Sequence, residues 1–131
     1  MSDLYLAIQV VMMPRDTNPH GTIFGGVLLS YIDQAGAIGA IHEVVRAGGA
    51  VPAVVTVAIN RVEFKLPVLV GDVVRFLTRL VKFGRTSVTM HVNVEVDRGG
   101  QILQVTEAEL VYVSVDLTTP DRRPRSLFAP A

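Results

Sequence analysis

Cysteine is absent from this 131-residue chain, which excludes disulfides, thiolate nucleophiles and cysteine-based metal sites and fits a cytoplasmic protein. Neither sign of charge prevails. Twelve basic residues balance twelve acidic ones, so the net charge gives no reason to expect nucleic acid or an anionic membrane as partner. Half of the residues are hydrophobic, yet no apolar run approaches the ~20 residues needed to span a bilayer. The N-terminus carries Asp3 in place of a basic cluster, and no small-residue cleavage pattern follows, so no signal peptide is expected. His20, His42 and His91 lack the spacing of metal ligands, and no metal site is expected. No Gly-Lys-Ser/Thr or G-x-G-x-x-G marks a nucleotide loop, and no Gly-x-Ser-x-Gly marks a serine-hydrolase elbow.

What is present has the length of one domain, read here as residues 1–131. Leu4 to Val11 reads as a first strand that ends before Pro14, and a polar turn covers Arg15 to Gly21. A helix is expected from Gly25 to Arg46, stopped by Gly48-Gly49. Leu28, Leu29, Ile32, Ala35, Gly36, Gly39 and Ala40 fall three and four apart and form its apolar stripe. The end of that stripe carries little side-chain bulk, although glycine inside a helix costs up to ~1 kcal/mol relative to alanine. A helix accepts that cost when it lies very close to another surface, such as a curved sheet wrapped around it. Four strand-like stretches follow: Ala53 to Phe64, Val73 to Phe83, an alternating segment from Val88, and Leu103 to Val115. In the alternating segment Val88, Met90, Val92, Val94 and Val96 share one face, and Thr89, His91, Asn93, Glu95 and Asp97 the other. Gly71-Asp72, Gly84-Arg85 and Arg98-Gly99-Gly100 read as turns, and residues 116–131, with Pro120, Pro124 and Pro130, as an irregular tail. The expected class is α+β: a five-stranded antiparallel sheet with one long helix on one face.

The chemistry concentrates in Asp16-Thr17-Asn18-Pro19-His20-Gly21-Thr22-Ile23-Phe24-Gly25-Gly26 and the helix that follows. Asp33 is a lone carboxylate among apolar neighbours, a position that costs free energy unless the group is paired or solvated. Glycines that open a helix expose backbone N–H groups without intrahelical partners, at the positive end of the helix dipole. Such donors polarise a carbonyl while a carboxylate works nearby, and together they read as an acyl-transfer site. In a helix Asp33 lies about 12 Å along the axis from Gly25. Asn18 reads as a turn residue before Pro19, and His20 as either a turn residue or a bond to substrate. His42 and His91 read as structural. Glu107, mid-strand among apolar residues, reads as an ion-pair partner of Arg61 or Arg75 in preference to a second site carboxylate.

The pattern Asp-Thr-Asn-x-x-Gly-x-Ile-Phe-Gly-Gly, followed by Asp-x-Ala-Gly, resembles the signature of hotdog-fold acyl-CoA thioesterases of the YciA and brain acyl-CoA hydrolase type. Asn60 to Lys65, Pro67-Val68 with Gly71-Asp72, Gly84 to Ser87 and Thr106-Glu107-Ala108 stand in the order that family shows, so the likeness runs from Val10 to Leu127. It implies a hotdog fold, the sheet as bun and the helix as sausage, and hydrolysis of acyl-CoA to free acid and coenzyme A. Asp33 is then the catalytic general base or nucleophile. Gly25 or Gly26 N–H polarises the carbonyl, and Asn18 assists from the neighbouring chain. Phe24, Gly25, Gly26 and His20 are expected to bind substrate. Arg85, Thr86, Ser87, Lys65 and Arg123 are expected to bind coenzyme A, since arginine forks suit phosphates. No cofactor beyond the coenzyme of the substrate is expected. A dimer assembling to a tetramer or hexamer would bury the apolar surface that one small sheet leaves exposed. Two rival readings remain open, a hotdog acyl hydratase or dehydratase and a non-enzymatic acyl-CoA binding module.

Overall fold

Small residues govern how the helix meets the sheet. Helix α1 (Gly25–Arg46) buries Leu28, Ile32, Ala35, Gly36, Gly39, Ala40, Glu43 and Val44, a stripe at helical spacing. Leu29 is only half-buried, and the stripe continues through Glu43, which Arg46 partners at 2.9 Å. A Cβ at Gly39 would stand 2.7 Å from Thr78 Cβ and 3.0 Å from Met90 Cε, so the backbone itself rests on the sheet.

The computed structural model describes residues 4–128; Met1 to Asp3 and the last three residues of the expected tail, 129–131, lie outside that range. The sheet consists of β1 (Tyr5–Val11), β2 (Val54–Phe64), β3 (Val73–Phe83), β4 (Ser87–Arg98) and β5 (Gln101–Ser114). Its order is β1-β3-β4-β5-β2, with every neighbouring pair antiparallel. A short 3-10 turn, Pro14–Asp16, leads into the polar segment before α1. This is the expected hotdog arrangement, and each expected element is found within a few residues of its anticipated ends.

The alternation expected for β4 holds. Val88, Met90, Val92, Val94 and Val96 are fully buried against α1, with Val74 and Phe76 of β3 and Val105, Ala108, Leu110 and Tyr112 of β5. The β4–β5 connection needs only Gly99 and Gly100, both at positive φ (+63° and +87°), the conformation that a tight two-residue hairpin requires. Residues 114–127 fold back beside the β3–β4 turn. Val115 bridges Pro124, and the Leu127 N–H donates to the Arg85 carbonyl at 3.0 Å.

Candidate active site

The entry to α1 is built from backbone and one amide side chain. Asn18 Oδ1 accepts from the N–H groups of His20 (2.9 Å) and Thr22 (3.2 Å), and its Nδ2 donates to Thr22 Oγ1 at 2.7 Å. That closed turn, with Gly21 at φ +86°, delivers Ile23 and Phe24 to the helix start. The Ile23 N–H donates to the Val68 carbonyl and the Phe24 N–H to the Asp16 carbonyl, at 2.9 and 3.0 Å. Phe24 caps the helix without a side-chain hydrogen bond, and no acidic residue occupies the first turn. The N–H groups of Val27 and Leu28 both turn to the Phe24 carbonyl. Those of Gly25 and Gly26 have no hydrogen-bond partner among the described residues, so the positive helix end is uncompensated. A shallow groove lined by Ile23, Gly25, Leu28, Phe64, Leu66 and Val68 adjoins this end. Phe64 of that lining is exposed, and so are Phe24, at the helix cap, and His20, in the turn before it.

Asp33 lies at the margin of the buried stripe, half-exposed, where α1 faces β5 and β2. Thr56 Oγ1, on β2, donates to Asp33 Oδ1 at 2.6 Å. Tyr112 Oη, on β5, donates to the Asp33 backbone carbonyl at 2.7 Å and stands 3.3 Å from Oδ1. The Tyr112 side chain is fully buried; burial first, and then the Asp33 charge, raise its pKa far above the ordinary phenol value. Tyr112 is therefore a permanent donor. Asp33 Oδ2 has no partner among the described residues. The carboxylate is held through one oxygen and open at the other.

Thr56 and Tyr112 were not among the residues expected from the sequence. Tyr112 carried a usable signal, since its place in the inward series Ala108, Leu110, Tyr112 buries a hydroxyl that must find a partner. Thr56 carried none, because its contact depends on β2 pairing with β5 with an irregularity between Thr56 and Ala58.

The remaining expected residues separate into two groups. Arg85, Thr86 and Ser87 form the β3–β4 turn, where the Ser114 N–H donates to the Thr86 carbonyl and Arg85 Nη1 to Ser126 Oγ at 3.4 Å. Arg123 lies at the same end, its Nε 3.4 Å from Asp121 and three-quarters exposed. Lys65 follows the opposite end of β2, about 30 Å away along the strand at ~3.3 Å per residue. One chain therefore does not gather these five residues into a single site.

The expected partners of Glu107 need correction. Arg61 pairs with Glu63 (3.1 Å) and Arg75 with Glu95 (3.2 Å), while Glu107 pairs with Lys65 at 2.9 Å. Strand pleat decides this: Glu107 opposes Asn93 and Glu63 on the sheet face away from α1, where Lys65 reaches it. His91 lies on that outer face too, and burial first, then Arg79, hold its pKa below the ordinary value. His42 stacks flat on Tyr5, with ring centres 3.8 Å apart. Among the described residues no cluster could hold a metal ion, and no helix is long and apolar enough to cross a membrane.

Free amides at the helix start and an anchored carboxylate two turns on are groups that acyl-thioester chemistry uses. The chain belongs to the thioesterase superfamily, whose family model matches residues 20–103. It is 42% identical to the acyl-CoA thioester hydrolase YciA of Salmonella typhimurium over 127 residues, covering 93% of this chain and 89% of that protein. Among solved structures it is similar to a hexameric thioesterase from Yersinia pestis, with TM-score 0.81, 39% identity and 93% of each chain covered. A hexameric hotdog fold thioesterase of Campylobacter jejuni gives TM-score 0.80 at 37% identity, covering 92% of this chain and 88% of that one.

Proposed function

We propose that this protein hydrolyses acyl-CoA thioesters to free carboxylic acids and coenzyme A. The observation that carries the reading is the Asp33 carboxylate, fixed through Oδ1 and free at Oδ2, on the helix whose first amides are unpartnered. As general base, Asp33 takes a proton from water while the water oxygen attacks the thioester carbonyl carbon. As nucleophile, it attacks that carbon itself and water hydrolyses the resulting anhydride. In both, Gly25 or Gly26 N–H stabilises the oxyanion, the C–S bond breaks, and the coenzyme thiolate takes up a proton.

The ~12 Å between Gly25 and Asp33 along one axis is too long for a single carbonyl to touch both. The site is therefore composite: Gly25, Gly26 and Asn18 of one protomer work with Asp33 of its partner, and Phe24 and His20 line the entry. A two-fold pairing of β2 edges sets the Lys65 end of one chain beside the Arg85 end of the next. Lys65 there joins Arg85, Thr86, Ser87 and Arg123 around the coenzyme phosphates. The exposed edge of β2 supports that pairing, and the hexameric relatives support assembly of such dimers into a hexamer. The reaction requires water and no cofactor. The cysteine-free composition supports a cytoplasmic location.

The test is thiol release from acetyl-, hexanoyl- and palmitoyl-CoA, with Asp33→Asn beside the wild type. Loss of Asp33 is expected to remove at least ~2–3 kcal/mol of transition-state stabilisation, about 100-fold in rate. Unchanged turnover by Asp33→Asn would sink the assignment of Asp33. An enoyl-CoA hydrated with its thioester intact would establish the hydratase instead, and tight binding without turnover the binding module.

A further inference from the structure

From the contacts of Tyr112 we infer that it is a positioning residue for the reaction, and that Gly36 exists to admit it. This rests on the reading of Asp33 given above. Tyr112 Oη donates to the Asp33 carbonyl at 2.7 Å. That carbonyl is the acceptor a regular α-helix offers to the N–H four residues on. The hydroxyl thus stands at the i to i−4 link that carries Asp33, and 3.3 Å from its Oδ1. From β5 it fixes the backbone of the catalytic residue and one oxygen of its side chain together.

Space for this contact comes from a missing side chain. A Cβ built on Gly36 would fall on the Tyr112 hydroxyl and lie 2.9 Å from Cζ, so any other residue at 36 drives the tyrosine away. The phenol ring is fully buried and cannot swing elsewhere without opening the core. With Oδ1 engaged by Thr56 and Tyr112, the working oxygen is Oδ2, and its direction is set from two strands outside the helix. Hydroxyls that hold a carboxylate in one rotamer raise the fraction of time it points at the reacting atom.

Tyr112→Phe keeps the ring and removes only the hydroxyl. In the assembled enzyme, kcat for hexanoyl-CoA hydrolysis is expected to fall about 10- to 100-fold with KM within about threefold, at an unchanged oligomeric state. Gly36→Ala disrupts the same contact from the other side. The double variant Gly36→Ala/Tyr112→Phe is therefore expected to lose no more activity than the worse single variant. Unchanged kcat in Tyr112→Phe, or losses that multiply in the double variant, would overturn the inference. Asp33→Asn run in parallel separates the two readings. If it is inactive while Tyr112→Phe is not impaired, the positioning role alone fails; if Asp33→Asn is fully active, the catalytic reading of Asp33 fails first.

Discussion

Asp33 meets two hydroxyls with different surroundings, and the difference ranks them. Tyr112 is buried and shared with the backbone, whereas the Thr56 hydroxyl is exposed and, among the described residues, hydrogen-bonds the carboxylate alone, at 2.6 Å. A hydrogen bond to a charged group contributes about 1.5–3 kcal/mol when intact and less where water competes. Thr56→Val is accordingly expected to lower kcat about tenfold while leaving the thermal midpoint within a few degrees, read by thiol release and by thermal unfolding. At this scale legibility was uneven. Asp33 was conspicuous from the sequence because a charge among apolar neighbours demands an explanation. Asn18 was marked as a turn residue, and its three hydrogen bonds within residues 18–22 show that use directly. The partner of Glu107 was missed because side-chain reach across strands depends on register, which no local pattern encodes.

Among the elements, the loop between β2 and β3 is pinned by one bidentate pair. Arg98, the last residue of β4, donates from Nε to Asp72 Oδ1 at 3.2 Å and from Nη2 to Asp72 Oδ2 at 2.7 Å, and Nη2 also reaches the Pro67 carbonyl. Asp72 in turn accepts the Leu69 N–H at 2.8 Å, and its carbonyl accepts the Met12 N–H at the end of β1. Burial pushes the Asp72 carboxyl up, but the Arg98 hydrogen bonds, the Leu69 N–H and the Arg98 charge outweigh it and leave the pKa below its ordinary value. A depressed carboxyl pKa stabilises the fold above the unfolded value, near 4, and that stability is lost as pH falls through the folded value. Arg98→Met is thus expected to cost about 1 kcal/mol at pH 7, solvent screening included. In urea unfolding the gap from wild type should be constant above about pH 5 and close toward pH 3. The Gly71-Asp72 turn itself was visible in the sequence. Its clamp was not, since Arg98 is distant in sequence and looked like part of a hairpin.

Across the whole molecule, β1 and β2 form the two sheet edges, and β2 exposes a run of large apolar residues. Val55, Val57 and Ile59 are 42%, 54% and 37% exposed. An edge of this kind is a template for pairing. If β2 edges pair as proposed, Val57→Glu is expected to give a smaller species by light scattering and to abolish thiol release, since the proposed site spans two chains. The architecture was readable because the signals were redundant: a strict alternation in β4, glycine turns at 71 and 99–100, and a helix too small on one side to stand alone. Strand order was not read from the pattern, because β2 closes on β5 across the whole intervening chain and no local signal encodes that.

That order also has a consequence for synthesis. β1 waits for β3, and β2 waits for the last strand, so the β2 edge finds its neighbour only at the end of the sheet's synthesis. Helix α1, poor in intrinsic propensity through its glycines, meanwhile leaves the ribosome with its apolar face bare. The β2–β5 and β4–β5 ladders can close only once β5 has emerged, and the β2–β5 pairing closes a long loop. Until β5 has emerged, the helix face and the unpaired edges of β2 and β4 stay open to aggregation and to chaperones.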